Sequence, residues 1–308
     1  MPVMLEEVML ALSPHPGSFQ IDATVGGGGH AARILEAANP DGRLLGIDAD
    51  PKAIERTRAR LAAYGDRATL RQANFEALVD VAAEAGFDRV DGILLDLGLS
   101  SPQLDDDDRG FSFRSTARLD MRFDPSTGMP ASEVLATVDE ASLVDIFRRY
   151  GEEPHARRIA RAVVHRRQAE PIEQPVKLAE LIGAVVPAAA RRQRIHPATR
   201  VFQALRIHVN RELEVLPEAL ERSLDLLAPD GRLCVISYHS LEDRIVKRFI
   251  ARERRGCLCP PERLTCACGH QPRLAPLGRQ PQLPGADEVT TNPRARSAKL
   301  RAARRLAA

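Results

Sequence analysis

Apolar runs and helical spacings alternate through the first hundred residues. Ser18–Thr24 (SFQIDAT) has the short apolar pattern of a strand, and Gly26–Gly29 interrupts it with consecutive glycines. The segment from His30 to Leu35 then reads as a helix. Arg43–Asp48 (RLLGID) predicts a second strand, and the helix after it runs from Pro51 to about Tyr64. Proline suits that first turn because its missing N–H has no helical partner there. Ala68–Ala73 predicts a third strand, 76–85 a helix, and Val90–Leu97 (VDGILLDL) a fully buried fourth strand. Strand followed by helix, repeated in this way, predicts an open parallel sheet covered on both faces.

The rhythm stops after the fourth strand. Residues 99–130 are rich in Ser, Asp, Pro and Gly and read as loop, whereas 131–215 carry helical spacing, as at Leu143, Ile146, Phe147 and Tyr150. The earlier pattern then returns. Glu212–Leu227 reads as a helix, Gly231–Ser237 as a strand and Leu241–Arg252 as a helix. Two short strands are expected in the Pro-rich tail, near Arg273–Gln280 and Ser297–Arg305. The simplest architecture is an α/β domain built from 1–108 and 212–308, interrupted by a helical insertion over 109–211.

Composition agrees with a globular chain: 308 residues, 44% hydrophobic and 28% charged. No apolar stretch is long enough to span a membrane, and the first residues lack the cationic start of a signal peptide. The five cysteines do not resemble a secreted disulfide scaffold, so a cytoplasmic location is expected. The net charge of +2 conceals a gradient. Residues 1–110 hold 19 acidic and 10 basic side chains, whereas 145–211 hold 14 basic and 6 acidic. The last twenty residues hold 6 basic and none acidic. Such sorting suits contact with a polyanion through particular regions, or solvated helix faces with a basic tail.

The strand–glycine–helix unit points to a bound nucleotide. Glycines let the backbone turn tightly beside a ligand, and the following helix N-terminus attracts polar groups. Asp48, ending the second strand, stands where a carboxylate accepts from a ribose diol in a doubly wound sheet. NAD, FAD and S-adenosylmethionine all fit these features. The glycines do not follow G-x-G-x-x-G cleanly, and Asp22 just before them suits a cationic ligand better than a pyrophosphate. Phe75, after the third strand, either stacks on adenine or packs in the core. Asp96 ends the fourth strand, where ligands of open α/β sheets bind.

Seven ordered motifs then carry a resemblance across nearly the whole chain. They are Asp22–His30 (DATVGGGGH), Leu94–Asp105 (LLDLGLSSPQLD), Arg109–Phe113 (RGFSF), Leu119–Arg122 (LDMR), His196–Leu213, Ile236–Arg244 (ISYHSLEDR) and Asn292–Arg301 (NPRARSAKLR). The chain resembles the bacterial RsmH (MraW) family of S-adenosylmethionine-dependent methyltransferases. The resemblance implies a class I, Rossmann-like methyltransferase sheet with a helical insertion after the fourth strand. It implies methylation of the exocyclic N4 of a cytidine in the decoding region of 16S ribosomal RNA, within the small ribosomal subunit. It also implies cofactor contacts from Gly28, Gly29, His30, Asp48, Phe75, Asp96 and Gln103, and RNA contact by the basic insertion. Two alternatives are a methyltransferase acting on another nucleic-acid amine and an RNA-binding module without catalysis.

Asp96 and His239 are the candidate catalytic groups. Many amino-methyltransferases carry S/N/D-P-P-Y/F at this point, but Ser100-Ser101-Pro102-Gln103 lacks the aromatic, which leaves the acceptor open. A base taken out of its stack needs a platform, for which Phe111, Phe113 and Tyr238 are candidates. The Phe residues equally suit the core of the insertion. Asp120, Arg122, Arg200 and Asn210 either contact RNA or pair within the insertion. Cys257-Leu-Cys259 and Cys266-Ala-Cys268 can deliver four thiolates to one structural zinc, the alternative being a reduced loop. The oligomeric state is not legible.

Overall fold

The computed structural model describes residues 2–191, 196–260, 262 and 265–307. Residues 192–195, within the stretch expected to be helical, lie outside the described residues. The chain divides into two compact units, 1–98 with 213–308 and 99–212.

The first unit opens with α1 (Leu5–Leu12), β1 (Phe19–Asp22), α2 (Gly29–Ala37), β2 (Arg43–Asp48) and α3 (Pro51–Leu61). It continues through β3 (Ala68–Gln72), α4 (Leu78–Glu84) and β4 (Val90–Asp96). The second unit contains α5 (Ser101–Asp105), α6 (Ala131–Thr137), α7 (Glu140–Gly151), α8 (Ala156–Ala169), α9 (Pro175–Val185), α10 (Ala188–Arg191) and α11 (Thr199–Val209). After these come α12 (Glu212–Leu226), β5 (Leu227–Ser237), α13 (Ser240–Glu253), β6 (Leu274–Pro276), α14 (Ala286–Thr291) and β7 (Lys299–Arg305).

The sheet runs β3-β2-β1-β4-β5-β7-β6. The first five strands are parallel, while β7 lies antiparallel between β5 and β6. This is a Rossmann-like α/β sheet, and the helical unit follows β4 in the chain, as expected. The central strands β1, β2 and β4 are buried on both faces, as their near-continuous apolar runs require, whereas β3 lies half-exposed at the edge. Ile93 and Leu95 pack on one side with Ile21, Leu45 and Leu220, whereas Leu94 packs on the other with Leu44, Ile34 and Cys234. The buried Cys234 thiol is pushed up to about 12 by desolvation.

Local capping sets several element boundaries. Asp50 caps α3 by accepting from the Lys52 N–H at 3.0 Å. The segment expected to be loop contains α5, which a capping box specifies: the Ser100 N–H donates to Gln103 Oε1 (3.0 Å) and the Gln103 N–H to Ser100 Oγ (3.4 Å). The second unit opens at Leu99 because α5 and the turn after it are tied to the insertion. The Arg109 guanidinium donates to the Arg122 and Phe123 carbonyls, both at 2.8 Å, and Ser115 Oγ donates to the Asp107 carbonyl at 2.8 Å. In this unit α7 packs on α8 and α11.

Ile93 is fully buried at the centre of the sheet. Ile93→Ala should lower the unfolding free energy by about 2–5 kcal/mol, the forfeited transfer term plus a cavity. Urea denaturation followed by circular dichroism checks the loss.

Candidate active site

The carboxyl ends of β2, β1 and β4 lie side by side, and each carries an aspartate. Asp22 of β1 pairs in register with Gly46 of β2 and Leu94 of β4. Asp48 and Asp96 therefore stand two residues farther along their strands. Because side chains alternate with period two, all three carboxylates share one face. Asp22 is set deeper and is only 1% exposed, while Asp48 and Asp96 sit half-buried at the rim. Strand order reverses about β1 and β4, so this is the crevice where open α/β sheets take ligands.

The backbone after β1 is shaped by these groups. The Gly26 N–H donates to Asp48 Oδ2 at 2.8 Å, and the Asp50 N–H to Oδ1 at 2.9 Å. Each Asp48 oxygen keeps lone-pair capacity after its one backbone bond, enough for a vicinal diol. Thr57 Oγ1 donates to the Gly26 carbonyl at 2.9 Å and Arg60 Nη1 to the Gly27 carbonyl at 2.7 Å, fixing the loop to α3. Gly28 caps α2 with φ +71°, and a Cβ there would lie 3.0 Å from Thr57. Glycine is required at that position on both counts.

Asp96 is held from two sides. Tyr238 O–H donates to Asp96 Oδ1 at 2.8 Å, and His30 Nδ1 lies 3.7 Å from Oδ2. His30 Nε2 is 3.0 Å from the Val3 carbonyl, which only accepts, so Nε2 carries a hydrogen. A second proton on His30 would then face Asp96. The Asp96 N–H donates to Thr24 Oγ1 at 2.6 Å.

Desolvation dominates the electrostatics here. It raises the Asp22 carboxyl to about 8, with Asp96 and Asp48 adding repulsion. It raises Asp48 to about 6 against the bonds from Asp50 and Gly26. It raises Asp96 as well, opposed by His30 and Tyr238. Burial, then the Asp96 charge, keeps the Tyr238 phenol protonated and donating. Three crowded carboxylates face one imidazole, with Arg56 adding only a minor pull on Asp48, and this excess of acid suits a cationic ligand with a diol. S-adenosylmethionine has both features.

The other expected site residues fall in different places. Phe75 follows β3 on a 3-10 turn capped by Asn74 and packs, half-buried, against the sheet core. Tyr238 joins the Asp96 cluster. His239 caps α13: its Nδ1 accepts from the Glu242 N–H at 3.4 Å, and its Nε2 lies 3.0 Å from Glu242 Oε1. Within the second unit, Gln103 is buried in the α5 capping box. Phe111 is buried against Phe123, and Phe113 stacks on His196 with centroids 4.5 Å apart. Asp120 and Arg122 form a bidentate pair at 2.8 and 2.7 Å. Asn210 accepts from the Phe123 N–H at 2.7 Å and donates to the Met121 and Arg206 carbonyls. Arg200 is exposed on α11. The four clustered cysteines converge in the first unit.

Two residues of the cleft were not among the expected site residues. Asp22 was visible as an acid four positions before the glycines. Buried Glu242 accepts from the Tyr238 N–H at 2.9 Å, and its signal was the His239-x-x-Glu242 capping-box spacing.

The model of the MraW methylase family matches residues 1–306. The chain belongs to the MraW methylase family. It is 53% identical over 306 residues to the ribosomal RNA small subunit methyltransferase H of Thermomicrobium roseum, covering 99% of this chain and 93% of that one. It is 54% identical over 304 residues to the protein of the same name from Syntrophotalea carbinolica, covering 99% and 97%. The counterpart in Geobacter sulfurreducens is 51% identical over 305 residues, covering 99% and 98%. Methylase family membership agrees with the class I sheet and with the strand-end cleft.

Asp22 has a measurable signature. In the unfolded chain its pKa returns to about 4, whereas in the fold it is about 8. Between these values the folded state holds a proton that the unfolded state lacks, so stability falls as pH rises. Asp22→Asn removes this dependence. The stability of the variant relative to the parent should rise from pH 5 to pH 8 and level off above, by urea unfolding at each pH. A difference that does not change with pH would place the Asp22 pKa in the ordinary range.

Proposed function

We propose that the chain transfers the methyl group of S-adenosylmethionine to N4 of a cytidine in the decoding region of 16S ribosomal RNA. The assembled small ribosomal subunit, in the cytoplasm, is the substrate under this reading. One observation carries it: Asp96, at the carboxyl end of β4, is held by Tyr238 and His30 in the same cleft as the glycine loop and Asp48. Relatives that are about half identical and carry the small-subunit methyltransferase name support the RNA target.

S-adenosylmethionine supplies an electrophilic methyl on a sulfonium when bound. Asp48 would hold the ribose diol, Gly28, Gly29 and His30 would face the cofactor from the start of α2, and Phe75 would lie at the adenine. The buried carboxylate Asp22 suits the cationic amino group.

Cytosine N4 is a weak nucleophile because its lone pair is delocalised into the ring. A carboxylate that accepts one N4 hydrogen localises that pair and takes the proton as the N–C bond forms. Asp96 suits this work because burial makes its carboxylate a better base than an exposed one. Tyr238 and His30 position it, and both favour its ionised form, so they temper the basicity that burial confers. We assign the acceptor role to Asp96 and not to His239, whose ring is engaged with Glu242 at the start of α13.

We assign RNA contact to the helical unit. Arg148 and Arg149 at the end of α7, Arg157, Arg158 and Arg161 on α8, and Arg200 on α11 are exposed. Guanidinium contacts to phosphate give affinity that falls with salt and carries little sequence information. Asp120, Arg122 and Asn210 serve this unit differently, by fixing the loop that joins its helices.

Two outcomes follow. Labelled methyl from S-adenosylmethionine should appear on N4 of one decoding-region cytidine of unmodified small subunits, mapped by mass spectrometry of nuclease fragments. Asp96→Asn should lower the transfer rate by about 10²–10⁴, more than it lowers cofactor affinity. No transfer to that RNA from the parent protein overturns the assignment. Separately, Arg157→Ala with Arg158→Ala should weaken RNA binding whatever the sequence. The slope of log affinity against log salt should flatten by about 1.5, roughly 0.7–0.9 for each phosphate that the variant no longer neutralises. An unchanged slope removes α8 from the RNA-facing surface.

A further inference from the structure

Among its described residues, the chain between α13 and β6 has little of the packing that holds the rest of the fold. Residues 254–272 carry no helix or strand among the described residues, and none of those described is buried. Structureless segments of this length are uncommon within compact domains. The neck of the loop is closed: the Arg273 N–H donates to the Glu253 carbonyl at 2.7 Å, and the Arg273 guanidinium pairs with the fully buried Glu253 carboxylate. Beyond the neck none of the described residues is buried, and Leu258 is 39% exposed, so apolar packing among them does little to order the chain.

Four thiols meet in this loop. The sulfurs of Cys257, Cys259, Cys266 and Cys268 all lie within 4.8 Å of one another. Cys257 Sγ is 3.4 Å from that of Cys266 and 3.8 Å from that of Cys268, and Cys266 Sγ is 3.6 Å from that of Cys268. A disulfide would bring two sulfurs to about 2.05 Å. Four thiolates around one zinc at about 2.3 Å place their sulfurs about 3.8 Å apart along each tetrahedral edge. The observed spacings are those of the second arrangement.

The backbone is also disposed to stabilise thiolates. The Leu258 N–H points to Cys268 Sγ at 3.3 Å, the Cys259 N–H to Cys257 Sγ at 3.4 Å, and the Ala267 N–H to Cys259 Sγ at 3.4 Å. Each C-x-C turn thus aims one N–H at a sulfur of the other pair, and the first turn adds one of its own. Such bonds offset negative charge on metal-bound sulfur and fix its orientation.

We propose that Cys257, Cys259, Cys266 and Cys268 bind one zinc ion that staples the loop between α13 and β6. Four protein sulfurs close the coordination sphere, so the ion is structural and takes no part in methyl transfer. Its binding energy orders the loop, where burial contributes almost nothing.

The test is metal analysis of the full chain, purified without chelator or metal-affinity resin. One equivalent of zinc per chain is expected. Cys257→Ser with Cys266→Ser should lose that equivalent and keep the far-ultraviolet circular dichroism and S-adenosylmethionine affinity of the parent. If that variant does not fold, cobalt exchange into the parent gives the second readout: strong visible d–d and thiolate charge-transfer bands of a tetrahedral S4 site. Parent protein lacking metal and showing reactive thiols or disulfides in this loop overturns the proposal. So does stoichiometric iron in place of zinc, or a double variant that folds and retains its metal.

Discussion

Strand register places three carboxylates on one face of the sheet, and the site depends on that crowding. Asp22 is aligned with Gly46 and Leu94, which fixes Asp48 and Asp96 two residues beyond it on the neighbouring strands. A slip of one residue in either pairing would turn an aspartate into the opposite face, which is filled by Ile21, Ile47, Ile93 and Leu95. An unpaired carboxylate in that packing would be costly to ionise. The apolar alternation that holds the fold together therefore also aims the acids.

The same burial gives each acid its character. Asp22 lies deepest, and desolvation lifts its carboxyl to about 8, so a cation beside it favours its ionised form. Asp48, at the rim, is drawn back toward ionisation by the N–H groups of Asp50 and Gly26. Asp96 has an imidazole and a phenol for company and no guanidinium. An arginine here would hold Asp96 ionised and weaken it as a base. The neutral phenol and the imidazole position Asp96 while leaving its affinity for a proton high. A ligand that brings positive charge into the cleft offsets the repulsion among the acids, so cofactor binding and the electrostatics of the fold favour each other.

Short-range chemistry was legible in the sequence and long-range bonding was not. The first four strands, the glycine turn, Asp48 and Asp96 follow from short apolar runs and their ends, which are local properties. The capping box of α5 was spelled out by Ser100 and Gln103, but a Ser-, Asp- and Pro-rich composition hid it. The antiparallel insertion of β7 between β5 and β6 depends on pairing across some seventy residues, for which no local pattern exists. Asn210 was open in the sequence between RNA contact and pairing within the insertion, and its three bonds reach back to Met121, Phe123 and Arg206. Asp120 and Arg122 satisfy one another, and His239 serves its own helix. Polar residues in dense motifs thus divide between chemistry and architecture, and only the partners reveal which.

Net charge illustrates how a sum can mislead. The value of +2 is a cancellation between an acidic first stretch and a basic stretch from 145 to 211. The two excesses answer to different physics. In the cleft, carboxylates are desolvated and few, and salt scarcely screens them. On α7 and α8 the arginines are exposed, and their attraction to phosphate is a screened sum over many weak contacts. Keeping them on separate stretches separates a desolvated acidic cleft from a solvated basic face, the one suited to a small cation and the other to a polyanion. If the two were intermixed, guanidinium groups would neutralise the acids and lower their pKa values. The cleft would then lose the excess of acid that suits a cationic ligand, and Asp96 would lose the basicity that burial gives it.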